Sequence, residues 1–458
     1  MSVAAFLDPA GCPAAPPQLQ AMGAATRSLH EGVDAHIRRR GVAYLHPESP
    51  TLMLDALGSD PVIAWQEGKA SFLFAGEGCW SELPQLYARY ATTAGLRLIR
   101  ALRELEAASC VILADCGMQA TALCFDVLMH PGAHAVIGRQ VYNKTRAYLE
   151  LLARRLGGAV TVIDDGDLEG LAAALRPETA LVFFETFTNP RMRAQDPAAL
   201  GAIVRAARAR GCRARLVIDS TIATPWALRR PLLSTPGVDV VVASGTKALA
   251  GQDRDMFGYV ATCDGEIGNQ VMDLVALRGG NLDWRRAEVI AAGLDEAAQL
   301  HARRCQGAAR IAAFLARHPR VAEVFHPSLP DHPDAAIVAA HYQRCGSLLS
   351  LRVRGHDEEA ARRFADVLAT TVVVRYALSF DGLTTKVNHH KSVSEYFTPP
   401  ERLAQGGLDR LVRLAVGVEE PDDIIAALNW ALHHGDAVSR EQLAAWQQAR
   451  RAALNLSE

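Results

Sequence analysis

The stretch VVVASGTKALAGQDRDMFGYVA, residues 240–261, sets an apolar β-branched run against a polar knot and then returns to apolar residues. Val240–Ala243 reads as a buried strand, with Ser244, Gly245, Thr246 and Lys247 standing at its end. Most lysines lay their stem along the surface and keep the charge in water. A lysine behind a buried strand, between hydroxyl neighbours, suits another task. Desolvation brings its amine towards the neutral form, which can form a Schiff base with a carbonyl.

Outward from this stretch the chain alternates. The runs CVILAD, AVIG, VTVI, ALVFFE, RLVID and VDVVVAS each have strand length, and helical patterns such as GMQATALCFDVLM, KTRAYLELLARRL and PAALGAIVRAARARG lie between several of them. That alternation predicts an α/β fold with a mainly parallel sheet flanked by helices over residues 93–295. Ligands of such sheets bind beyond the carboxyl ends of the strands. Three polar knots sit at those ends: ETFTNP (185–190), DSTIATP (219–225) and SGTK (244–247). Residues 296–458 carry long helical stretches and few strands, which predicts a smaller α+β C-terminal domain. Residues 1–92 are punctuated by proline and glycine and read as an extended N-terminal arm that wraps a partner surface.

Composition bounds the function. The 458 residues are 50% hydrophobic with a formal charge of -2, so no electrostatic case exists for nucleic acid or an anionic membrane as the main partner. No apolar run reaches the ~18 residues of a membrane span. The opening MSVAAFLDPAGCPAAPP lacks the basic segment and apolar core of a signal peptide, and a cytoplasmic location is expected. The nine cysteines are odd in number and lack metal-ligand spacing, so reduced thiols and no metal site are expected.

The knots supply the parts of a pyridoxal 5'-phosphate site around Lys247. Asp219 suits the pyridine nitrogen, keeping it protonated so that the ring withdraws electrons. Gly117 and Met118 open a helix directly after a strand, where free N–H groups hold an anion. Ser244 and Thr246 add hydroxyls to the same phosphate, and Tyr142 offers a stacking face and a proton-transferring hydroxyl. Each feature alone has a plainer explanation: a surface lysine, an Asx-turn, an ordinary aromatic. Their common place at the strand ends favours the site.

These residues resemble the pyridoxal-phosphate enzymes of cysteine and methionine metabolism, a fold type I family that includes cystathionine γ-synthase and methionine γ-lyase. The likeness runs from about Tyr87 to Leu432. The family's S-x-T-K is met by Ser244, Thr246 and Lys247, and its D-N-T-x-x-x-P appears as DSTIATP with Asp219 and Thr221. E-S-P-x-N-P appears as ETFTNP, which implies that Asn189 contacts the cofactor's phenolic oxygen. S-G-M is CGM, with Gly117 and Met118 as phosphate amides, and the Tyr of Y-G-G-T is Tyr142. LYARY resembles Y-x-R, which implies that Tyr87 and Arg89 reach a neighbouring subunit's phosphate. A homo-oligomer follows, with a dimer as the catalytic unit and a tetramer as the expected assembly. LVRLAVGVEE resembles L-I-R-L-S-V-G-x-E and places Arg413 on the substrate α-carboxylate, a grip suited to its fork of donors.

The departures cluster. YGGT has become YNKT with Lys144, the residues after the lysine read GQDR in place of G-H-S-D, and A-x-S-L-G-G is ALSFDG. Ser379 is kept, whereas Phe380 and Asp381 replace the usual pair. The position before Ser379 is Leu378, apolar as in methionine γ-lyase, where cystathionine-handling γ-enzymes carry glutamate. The resemblance thus implies γ-elimination on a small γ-substituted L-amino acid through a Lys247 Schiff base, quinonoid and vinylglycine-type intermediates. γ-Replacement is the first alternative. A β-lyase, an aminotransferase of the same fold and an inactive cofactor-binding paralogue also stay open.

Overall fold

The computed structural model describes residues 19–28, 30–31, 88–89, 92–394 and 398–455, so most of the expected arm, Tyr87 included, lies outside the described residues. Seven strands build the larger sheet: β1 Cys110–Ala114, β2 His134–Gly138, β3 Ala159–Ile163, β4 Thr179–Glu185, β5 Arg215–Asp219, β6 Val240–Ala243 and β7 Gly258–Thr262. Their order is β1-β7-β6-β5-β4-β2-β3. Successive residues of a strand point to opposite faces, and here both faces are covered. Val111 and Leu113 enter one core while Cys110, Ile112 and Ala114 enter the other. Val241 and Ala243 are likewise separated from Val240 and Val242. Burial on both sides is why these strands read as unbroken apolar runs.

From β6 across to β3 the pairing is parallel, and only β7 runs against its neighbours β6 and β1. The reason lies in the opening stretch. Residues 244–257 form turns without a helix, and a parallel neighbour needs a long crossover. The chain therefore comes back antiparallel through GYVAT. Because β4, β5 and β6 lie side by side and parallel, their carboxyl ends share one edge. Glu185 stands opposite Asp219, and Asp219 opposite Val242. That register brings the three polar knots together.

A second sheet has the order β10-β11-β12-β9-β8, from β8 Val321–Phe325, β9 Leu348–Val353, β10 Arg375–Tyr376, β11 Lys386–His389 and β12 Val412–Ala415. β8 and β11 escape the sequence reading because VAEVF and KVNH are short and carry charge. The 34-residue helix Trp284–Arg317 links the two cores. Ala287, Ile290 and Leu294 near its start pack under the larger sheet, whereas Ala308, Ile311, Ala312 and Leu315 pack under the smaller one. The boundary expected at 295/296 falls inside this continuous helix.

The thiols need one correction. Cys116, Cys124, Cys212, Cys263, Cys305 and Cys345 are free, but Cys110 on β1 is disulfide-bonded. Spacing along the chain gives no hint of which sulfurs the fold brings together. No described helix is long and apolar enough to cross a membrane.

Candidate active site

A cavity of about 500 Å³ opens at the shared carboxyl edge, and Lys247 lines it. The lysine amine donates to Ser379 Oγ at 2.7 Å and lies 4.9 Å from the centroid of the Phe380 ring. Burial lowers its pKa, with nearby Arg413 and Lys386 acting in the same sense and Asp381 and Asp253 against it. The shift favours the neutral, nucleophilic form of the amine.

Gly117 and Met118 begin the helix Gly117–Leu128 and line the same cavity with Ser244 and Thr246. A side chain on Gly117 would overlap the Cβ of Ser244, so only glycine lets the helix start approach the end of β6 this closely. First-turn N–H groups lack intrahelical partners and favour an anion. Thr221 ties this side together. Its N–H donates to Asp219 Oδ1 at 2.7 Å, and its hydroxyl accepts from Ser244 N at 2.8 Å. The Thr246 hydroxyl exchanges two bonds with the Phe257 backbone, donating at 3.1 Å and accepting at 3.0 Å.

The floor of the cavity holds two buried carboxyls in cross-strand register, Glu185 and Asp219. Burial raises Asp219 to about 6, against the lowering bonds from Thr221. Burial raises Glu185 well above the usual range, and the charge of Asp219 adds to it. Glu185 accepts from the Tyr142 N–H at 2.6 Å, which fixes the start of the helix Asn143–Arg155 and presents Tyr142, 45% exposed, at the cavity. Two desolvated carboxyls without an ion pair among the described residues suit a group that brings its own cationic N–H. Together with the helix start and hydroxyls, this donor set fits a phosphorylated pyridine aldehyde.

The opposite wall comes from the smaller sheet. Arg413 on β12 is 3% exposed, donating from Nη2 to Leu378 O at 2.8 Å and from Nη1 to Asn189 Oδ1 at 3.3 Å. Among the described residues these partners are neutral, and burial lowers the guanidinium to about 10. An arginine in an apolar strand with only neutral partners suits the capture of a carboxylate. Asn189 is followed by a cis bond to Pro190. Met256, Leu378, Phe380 and Val393 give the remaining wall an apolar character.

The structure thus gathers Gly117, Met118, Tyr142, Asn189, Asp219, Thr221, Ser244, Thr246, Lys247, Leu378, Ser379 and Arg413 around one cavity. Arg89 is not among its lining residues and donates to Ala276 O. Tyr87 lies outside the described residues. Glu185 and Phe380 went unrecognised as site residues. Glu185 is the first residue of ETFTNP, and a second acid at a strand end was the available signal. The Phe380 ring, 4.9 Å from Lys247 and 5.9 Å from Arg413, depends on a fold contact that spacing does not encode.

Comparison with known proteins agrees with this geometry. Residues 71–433 match the family described as Cys/Met metabolism PLP-dependent enzyme. An L-methionine gamma-lyase of Treponema denticola is 29% identical over 420 residues, 91% of this chain and 98% of the relative. A cystathionine beta-lyase of Bacillus subtilis is 30% identical over 339 residues, 74% of this chain and 83% of that one. The crystal structure of cystathionine gamma synthase from Xanthomonas oryzae in complex with cystathionine superposes with a TM-score of 0.70 at 28% identity, covering 77% of this chain and 88% of that one. The chain belongs to the pyridoxal-phosphate-dependent enzymes of cysteine and methionine metabolism.

Proposed function

We propose that this enzyme is a lyase that eliminates the γ-substituent of an L-amino acid. Arg413, a buried guanidinium with neutral partners, supports an amino acid substrate, and the observation that carries the reading is the apolar wall of Met256, Leu378, Phe380 and Val393 in the same cavity. When bound, pyridoxal phosphate supplies an electron-withdrawing ring that stabilises negative charge at the substrate Cα. Gly117, Met118, Ser244 and Thr246 are assigned to its phosphate, Asp219 to its ring nitrogen, Asn189 to its phenolic oxygen and Lys247 to its aldehyde, with Thr221 bracing Asp219 and Ser244.

Arg413 holds the substrate carboxylate and so aims the Cα–H at Lys247. The lysine Nζ accepts the Cα proton, a role for which a desolvated amine of lowered pKa is suited. Ser379 accepts a hydrogen bond from Nζ and limits where the amine points. Tyr142 covers the ring face, and its hydroxyl supplies a proton to the departing group. Met256, Leu378, Phe380 and Val393 face the side chain with no acid among them, which favours a neutral, apolar γ-substituent. Tyr87 and Arg89 are assigned to a neighbouring subunit's phosphate, with a dimer as the catalytic unit and a tetramer as the assembly.

One observation favours γ-replacement. Lys144 lines the cavity at the place of a glycine in the resembled motif Y-G-G-T, and a cation there suits an anionic second substrate. Incubation with homoserine esters, thioethers and halogenated analogues separates the readings. Elimination releases ammonia and a 2-oxo acid from a single amino acid, whereas replacement yields a new amino acid only when a nucleophile is added. An aminotransferase would release no leaving group, and an inactive paralogue no product.

A further inference from the structure

Two loops flank Lys247. One follows it in the chain and contains Gly251 and Asp253. The other runs over Leu378–Gly382 and carries Ser379 and Phe380. Two cations from other elements bridge these same loops. Arg304, fully buried on the helix Trp284–Arg317, donates from Nη1 to Gly251 O at 3.0 Å and to Gly382 O at 2.9 Å. Lys386, which opens β11 and is 8% exposed, donates from Nζ to the Asp253 carboxylate and to Asp381 O at 2.5 Å. Asp381 completes the junction, accepting from Ser347 and lying 3.8 Å from Arg304 Nε. Two cations thus meet two carboxylates: Arg304 and Asp381 are buried, and Asp253, 46% exposed, meets Lys386 at the rim.

Asp253, Phe380 and Asp381 all stand where the sequence departs from the motifs it otherwise resembles. Gly382 has φ +97°, and a side chain on it would overlap the Asp253 carboxylate. The bridged loop then reaches the site at three consecutive residues. Leu378 O accepts from Arg413, Ser379 accepts from Lys247, and the Phe380 ring lies beside both cations.

We propose that Asp253 is a positioning residue: through Lys386 it holds the Leu378–Gly382 loop against Lys247 and so maintains the bond from the lysine amine to Ser379. This rests on the proposed assignment of Lys247 to the cofactor aldehyde. The charged groups facing that amine are Asp381, Arg413, Lys386 and Asp253. A plain field effect and a positioning effect differ in sign. Through space, Asp253→Asn removes a negative charge and lowers the lysine pKa, whereas Lys386→Gln removes a positive one and raises it. If both residues act by holding the loop, both substitutions also weaken the bond that stabilises the ammonium, a loss that outweighs the opposing field change in Lys386→Gln, and both lower it.

The measurement is the pH dependence of the rate at which the full-length, cofactor-free chain takes up pyridoxal 5'-phosphate, followed by growth of its visible band. Both variants are expected to move the midpoint down by about one pH unit, the loss of one hydrogen bond to a charged group. Opposite shifts, an unmoved midpoint in either variant, or any other pattern overturns the proposal. Should Lys386→Gln fail to fold, Asp253→Glu keeps the charge but overfills the gap at Gly382. A lowered midpoint then supports positioning, and a wild-type midpoint overturns it. A wild-type chain with no visible band would instead overturn the assignment of Lys247.

Discussion

Arg413 and Asp219 do different work, and kinetics should separate them. Arg413→Ala removes the cation proposed to grip the carboxylate that every amino acid substrate shares. KM should rise by about two orders of magnitude for all substrates alike, the scale of a lost charge-assisted bond pair. A rise confined to one substrate would move the role elsewhere. Asp219→Asn should leave cofactor content near normal while kcat falls by about 100-fold or more, since the ring nitrogen loses its anionic partner. Cofactor content by absorbance and turnover on the same sample check this. Asp219, Lys247 and Arg413 were legible in the sequence because each closes or interrupts an apolar run where a charge is costly. Glu185 closes the run ALVFFE in the same way, but its pairing with Asp219 was not legible, since it arises only from the register of β4 on β5. The partner of Asp253 stands at Lys386, 133 residues away, and no local pattern announces it.

At the scale of elements, the helix start Gly117–Leu128 and the end of β6 meet so closely that Gly117→Ala should push the two apart. Cofactor affinity is expected to fall at least tenfold and Tm to drop by a few degrees, since the new Cβ meets the Ser244 backbone, measured by equilibrium dialysis and thermal melting. The helix Thr93–Glu106 poses a separate question at its other end. Glu106 is fully buried there, accepts from the Tyr259 hydroxyl on β7, and has its Oε2 without a partner among the described residues. Burial raises it from 4.5 to about 7. Between those values the folded chain keeps a proton that the unfolded chain has lost, so this group's contribution to stability falls as pH rises. Buried His301 and His326, lowered to about 4, act oppositely, losing stability as pH falls below about 6.5. The informative quantity is therefore the difference between Glu106→Gln and the parent in urea melts. The variant should gain on the parent from pH 4.5 to 7, by up to roughly 3 kcal/mol. A pH-independent difference would contradict the buried acid. The larger sheet itself was legible as alternating strands and helices. The antiparallel return of β7 was not, because it follows from the missing crossover rather than from the strand's own residues.

For the whole molecule, the site depends on both sheets: cofactor groups stand at the edge of one, and Arg413 comes from the other. The helix Trp284–Arg317, packed into both cores, holds the two in relation, and its buried Arg304 joins loops from each side. That dependence was only half visible in sequence, where the small-domain strands are short and partly charged. If Arg89 serves a neighbour, subunits carrying Arg89→Ala mixed with subunits carrying Lys247→Ala should recover part of the activity that each lacks alone. Failure to recover any, with mixed oligomers formed, would make each site self-contained. The central claim is that Lys247 carries the cofactor. The direct measurement is reduction of the loaded protein with borohydride, followed by mass spectrometry of its peptides. Pyridoxyl phosphate fixed to Lys247 in near one-to-one yield, and absent from Lys247→Ala, is the predicted result. A label on Lys144 or Lys386, or none at all, would contradict it.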